Sequence, residues 1–177
     1  MPDPIVSIDE ISKIFLTTAQ HTLESITKQE VTYSSTIQKI PKVSMKPDLT
    51  CFVLFNGDYN GLIVMNFSAN AAFGIYKSYM KAMGMPKEDL ATSFLAPEVA
   101  DTIGELTNQI MGQLIKDIEE KYHLNAEFGQ PKALTLNSSI TLVIDSTYGE
   151  NRRLSFKFGN YNFRVGITME RTEFILI

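Results

Sequence analysis

The residues best suited to chemistry lie in one stretch, Asp101-Thr102-Ile103-Gly104-Glu105-Leu106-Thr107-Asn108-Gln109-Ile110-Met111-Gly112. Its periodicity is helical. Val99, Ile103, Leu106, Ile110, Leu114 and Ile118 make one apolar stripe that must face a core. Asp101, Glu105, Asn108 and Gly112 fall on the opposite side and are expected to face solvent. Glu105 and Asn108 are three residues apart, so their side chains project next to each other. A carboxylate beside a neutral carboxamide offers negative charge, acceptors and donors on one small patch, which suits positioning and pairing with a partner's groups. Two glycines interrupt this helix, and each costs about 1 kcal/mol relative to alanine in a helix interior. Missing side chains at Gly104 and Gly112 would clear space around the pair for another surface to come close. Packing of Gly104 against a neighbouring element is the other reading. Without the glycines, a bare Glu-x-x-Asn would equally describe a solvated polar face.

The elements that position this helix read off the chain in order. Ile8, Ile11, Phe15, Ala19, Leu23 and Ile26 recur at spacings of three and four, predicting an amphipathic helix over about 8–28. A strand region follows near 31–40. The runs 49–55 and 61–67 are joined by Asn56-Gly57-Asp58-Tyr59-Asn60 as a hairpin. Residues 70–83 read as a helix stopped by Gly84. Met80, Met83 and Met85 read there as helical core filler, with a soft contact surface as the second reading. Residues 86–96 make a linker, and Pro97 opens the site helix, which runs to about Tyr122. The last third is strand-like: 133–145, 153–158 and 161–169, with a turn at Tyr148-Gly149-Glu150-Asn151 and a two-residue hairpin at Gly159-Asn160.

The pattern of a helix with strands thus occurs twice. It predicts an α+β fold of two pseudo-symmetric helix-plus-antiparallel-strand halves, about 1–85 and 97–177, in a single domain over 1–177 with long helices packed on one side of the sheet. The chain has 177 residues, enough for one domain with a real core. A net charge of −4 makes nucleic acid and anionic membranes unfavoured partners. No apolar run approaches a membrane span, and no secretory signal is expected, so the expected compartment is the cytoplasm. Cys51, the single cysteine, sits in an apolar strand and reads as a buried small hydrophobe. His21 and His123 lack ligand-spaced neighbours, so no metal site is expected. Phosphate-loop and nucleophile-elbow motifs are also missing. Asp117, Glu119 and Glu120 read as a solvated charge run, and Arg152-Arg153 as surface beside a turn.

The extended pattern Asp101-x-x-Gly104-Glu105-x-x-Asn108-x-x-x-Gly112 resembles the signature helix of the CheC/CheX/FliY response-regulator phosphatases. The motif covers about a dozen residues, and the element order extends the likeness over most of the chain in layout. The resemblance implies an enzyme, a phosphatase that hydrolyses the aspartyl phosphate of a phosphorylated CheY-like receiver domain. Asn108 would orient the attacking water, and Glu105 would pair with a lysine of the receiver. Gly104, Gln109 and Gly112 would lie at the partner contact. No cofactor of its own is implied, because the receiver supplies Mg²⁺. Two-site members carry the Glu-x-x-Asn pair in each half. In the first helix Glu24 is followed three residues later by Thr27, so the first-half site is expected to be absent. That makes the chain most similar to the single-site CheX type, commonly a homodimer. The alternative is a catalytically silent dimeric module that docks a receiver or a motility protein.

Overall fold

The computed structural model describes residues 7–141 and 149–170. Helix α1 spans Ile8–Thr27. Its amino end is closed by Ser7, whose Oγ accepts from the Glu10 N–H, and its carboxyl end by Lys28 in the left-handed conformation. Strands β1 (Val31–Tyr33), β2 (Gln38–Lys39), β3 (Ser44–Met45), β4 (Leu49–Gly57) and β5 (Gly61–Phe67) follow, then α2 (Ala69–Ala82). A 3-10 turn at Lys87–Asp89 sits in the linker. Helix α3 (Pro97–Tyr122) opens the second half, followed by β6 (Ala126–Phe128), β7 (Lys132–Thr135), β8 (Ile140–Thr141), β9 (Gly149–Phe158) and β10 (Tyr161–Glu170).

The main sheet runs β1-β9-β10-β5-β4-β6, with β2 also on β9 and β7 also on β4. Exchanging the first-half strands β1, β4 and β5 for β6, β9 and β10 leaves this order unchanged, which is the expected pseudo-symmetry. The halves are interleaved. β1 pairs with β9 and β6 with β4, so each half completes the other's sheet edge. The small sheet β3-β8 joins the halves again.

Alternation sorts the two faces of the sheet. Val53, Ile63, Met65, Phe156, Phe163, Val165 and Ile167 point toward the helices and build one core with Phe15, Ile75, Ile103 and Ile110. Each such side chain contributes about 1.5–3 kcal/mol when fully buried. On the other face, Leu62 and Val64 form a smaller core with Val43 and Met45 from the flap carrying β3. Gly166 lets that flap seat closely, since a Cβ there would stand 2.7 Å from Val43 Cγ1. Cys51 is buried as expected, and burial pushes its thiol up to about 11. No helix among the described residues is long and apolar enough to cross a membrane.

Several sequence readings need correction. The strand expected over 31–40 is two short strands, because only 31–33 and 38–39 find partners on β9. The strand expected over 133–145 divides into β7 and β8, and its part from 142 lies outside the described residues. The turn expected at 148–151 is strand over Gly149–Asn151, while Tyr148 lies outside the described residues. Met83 is 68% exposed, not core filler, because α2 ends at Ala82 and Gly84 turns the chain away with φ +85°. Asp117 is not free in solvent, since its Oδ2 accepts from Thr18 Oγ1 at 2.7 Å and ties α3 to α1.

Arg152 is the largest departure. It lies on the helix-facing side of β9 and is buried. Its Nε donates to Asp9 Oδ1 at 2.7 Å and its Nη1 to the Asn151 carbonyl at 2.9 Å. The hydrogen bond from Arg152 holds the Asp9 carboxyl below its ordinary value. A depressed folded pKa adds stability above the ordinary carboxylate range, and that stability is lost as pH falls through the depressed value. Asp9→Ala is expected to cost about 1–3 kcal/mol, toward the low end for breaking a buried pair because water still reaches Asp9. Urea unfolding at neutral pH measures the loss. Repeating it in acid should narrow the gap between wild type and variant, and an unchanged midpoint at neutral pH would remove the pair from the account of stability.

Candidate functional site

Helix α3 holds the candidate residues. Pro97 occupies its first turn, where a missing N–H costs nothing. At the other end His123 adopts the left-handed conformation and its N–H bonds the Glu119 carbonyl at 2.8 Å. Val99, Ile103, Leu106, Ile110, Leu114 and Ile118 are all buried, which fixes the rotation of the helix about its axis. Asp101, Glu105 and Gly112 are therefore exposed, as expected, and Asn108 is half-buried beside them.

Gln109 Nε2 donates to Glu105 Oε1 at 3.2 Å, an exposed contact between successive turns of the helix. The Asn108 amide is engaged by no other protein group among the described residues, leaving its oxygen and its N–H groups for a ligand or water. The surroundings of the glycines remove one of the two sequence readings. Nothing lies within 4 Å of where a Gly104 Cβ would be, so Gly104 does not pack against a neighbour. At Gly112 the nearest atom is Phe128 Cζ at 4.0 Å, an ordinary contact. Neither glycine is required by the interior of this chain, and both leave open room flanking the acid–amide pair. Among the described residues no cluster of three or more His, Cys, Asp or Glu could hold a metal ion.

Pseudo-symmetry relocates the first-half counterpart. Lys28 and His123 are matching left-handed caps, each three residues ahead of a strand that crosses to the other half. Aligning them places Ile8, Ile11, Ser12, Phe15 and Leu16 on Ile103, Leu106, Thr107, Ile110 and Met111, buried residue on buried residue. Glu105 then corresponds to Glu10 and Asn108 to Lys13, not to Glu24 and Thr27. Gly104 and Gly112 correspond to Asp9 and Thr17. Glu10 is occupied: Lys13 Nζ lies 3.2 Å from its Oε1, and the Tyr122 hydroxyl donates to its Oε2 at 3.0 Å. Those two hydrogen bonds, that of Lys13 first, hold the Glu10 carboxyl below its ordinary value. Asp9 in the place of Gly104 is bound to Arg152. The first-half face thus lacks both the amide and the open room. The sequence carries this signal only when the helices are aligned from their caps, not from the motif.

The fold occurs in several solved structures. The chain superimposes on the chemotaxis protein CheX from Desulfovibrio desulfuricans with a TM-score of 0.75 at 20% identity, covering 91% of this chain and 99% of that one. A CheC-like superfamily protein from Shewanella sp. PV-4 gives 0.75 at 17% identity, covering 94% and 100%. CheX in a CheX–CheY–BeF3–Mg²⁺ complex from Borrelia burgdorferi gives 0.62 at 16% identity, covering 91% and 98%. No curated protein matches the sequence. One protein-family model matches, over residues 3–177, and its description is "Protein of unknown function (DUF3334)".

Proposed function

The chain belongs to the family of that model, whose description names no activity, and we propose that it is a phosphatase acting on the aspartyl phosphate of a response-regulator receiver domain. The observation that carries this reading is the acid–amide pair, with an exposed Glu105, an unengaged Asn108, and open positions at both flanking glycines. The likeness to CheX, including a CheX solved with CheY, supports a receiver as the partner.

The chemistry follows from the residue types. Glu105 takes an ammonium group of the receiver as its counter-ion. A carboxylate without one would be repelled by the phosphoryl oxygens. Asn108 is neutral, so it can approach the phosphoryl group, and its side-chain carbonyl accepts from a water and holds it in line with phosphorus. The water oxygen forms a bond to phosphorus as the bond to the aspartyl oxygen breaks. The aspartate leaves as a carboxylate, and the water's proton departs with inorganic phosphate or to solvent. Mg²⁺ on the receiver neutralises the phosphoryl charge, so positioning dominates what this chain must add. Work on a receiver places the protein in the cytoplasm, with one site per chain and a homodimer as the assembly inferred for this type.

The test is the rate of phosphate loss from a panel of phosphorylated receiver domains of the same cell, with and without the protein. One receiver is expected to lose phosphate far faster than alone. If none does, the phosphatase reading fails, and saturable binding without acceleration would identify a silent docking module instead.

A further inference from the structure

A second site lies on the opposite side of the sheet from the helices. A cavity of about 450 Å³ opens between the flap at 40–47 and the outer face of β5 and β10. Four cations line it, Lys42 and Lys46 from the flap and Arg153 and Arg164 from the sheet, and no acidic residue is among its described lining. That concentration of positive charge is unusual for a chain whose net charge is −4. The two arginines are diagonal neighbours on one face, since Arg164 stands opposite Ser155 and Arg153 opposite Gly166; such neighbours are roughly 7–8 Å apart. Among the described residues none of the four cations is ion-paired with a carboxylate. The nearby Asp48 is committed elsewhere, its Oδ2 accepting from the Ala69 N–H at 2.7 Å.

The site is also built. Asn66 fastens the flap to the sheet, accepting from the Lys46 N–H at 2.8 Å and donating to the Ser44 carbonyl at 2.9 Å. Val43 rests on Gly166. Arg153 is steadied by Gln38, whose Oε1 accepts from its Nε at 2.7 Å. Walls fixed in this way hold like charges together and focus a positive potential into a concave space. An anion relieves that repulsion with charge-assisted hydrogen bonds, strongest from the guanidinium forks.

We propose that this cavity binds a phosphorylated small molecule of nucleotide size. Its volume falls within the usual range for small-molecule sites. Asn162 and Ser68 on the rim add polar contacts, and Pro41 and Pro47 offer apolar surface to a base or sugar. A nucleic acid fits less well, because it needs an extended basic track, whereas here the charge is gathered around one open concavity. The site is independent of Glu105 and Asn108, which lie on the helix layer across the sheet.

Titration calorimetry with ATP, GTP and inorganic pyrophosphate, on the full chain at about 150 mM salt, tests the proposal. Saturable binding of at least one probe is expected. Arg164→Ala and Lys42→Ala, both at exposed positions, should each weaken it about tenfold or more, whereas Asn108→Ala should leave it unchanged. Circular dichroism of the variants guards against unfolding. The proposal is overturned if no probe binds saturably, if the two variants bind as tightly as wild type, or if only an acidic peptide such as poly-glutamate binds.

Discussion

Asn108→Ala is expected to reduce the protein's acceleration of receiver dephosphorylation by roughly a hundredfold or more, which is about 2.7 kcal/mol of transition-state stabilisation. The amide is asked to do one thing, to hold a water at the distance and angle from which it attacks. Alanine supplies no acceptor, and a misplaced water loses the entropic advantage of being bound. The fold should survive, because Asn108 sits on the solvent side of α3 and bonds no other protein group among the described residues. Substitutions of that kind usually change stability by less than about 0.5 kcal/mol. Asn108→Asp should fail as well, although it keeps the shape, because a carboxylate beside the phosphoryl oxygens adds repulsion where a neutral acceptor stood. Glu105→Ala should act differently, raising the receiver concentration needed for half-maximal rate before it lowers the limiting rate. Single-turnover loss of phosphate at saturating protein separates these effects. A wild-type rate in Asn108→Ala would remove this residue from the chemistry and leave the fold as the main support for the reading.

Gly104 and Gly112 should trade stability against activity. Gly104→Ala places a methyl group in open space, so it should stabilise the helix by about 0.5–1 kcal/mol. In a chain of this size that is a rise in Tm of about 1–4 °C. Gly112→Ala should behave similarly, since Phe128 Cζ at 4.0 Å is an ordinary neighbour. Larger helix formers separate fold from docking. Gly104→Gln and Gly112→Gln should remain folded and at least as stable, yet lower kcat/KM toward the receiver by about tenfold or more, because the side chain stands where the partner must come. Thermal unfolding and dephosphorylation rates on the same preparations read both sides of the trade. If the glutamine variants gain stability and keep full activity, the open positions do not serve docking, and the glycines lose their explanation.

The sequence alone determined what depends on neighbours a few residues apart. The bounds of α3 followed from Pro97 and the apolar stripe, and the structure gives Pro97–Tyr122. The exposure of Glu105 and its adjacency to Asn108 followed from the same stripe, because on a helix a core-facing side fixes the opposite side. The Gly159–Asn160 hairpin was legible because a two-residue turn needs φ above zero, and Gly159 has φ +54°. The repeated order of helix and strands made the two halves visible.

Only the tertiary structure decided what depends on pairing across a hundred residues or more. Nothing local to Val31–Tyr33 says that its partner is β9 of the other half, since a short strand carries little register information of its own. Arg152 read as surface beside Arg153, but the pleat turns it toward α1, where Asp9 provides the partner that makes burial of its charge tolerable. The absence of a first-half site was read at Glu24 and Thr27, and the matching helix caps move the comparison to Glu10 and Lys13. The cavity behind the sheet was invisible for the same reason. Its cations come from a flap in the first half and a hairpin near the end of the second, and they share one space only because Asn66 and Gly166 bring the flap down onto the sheet.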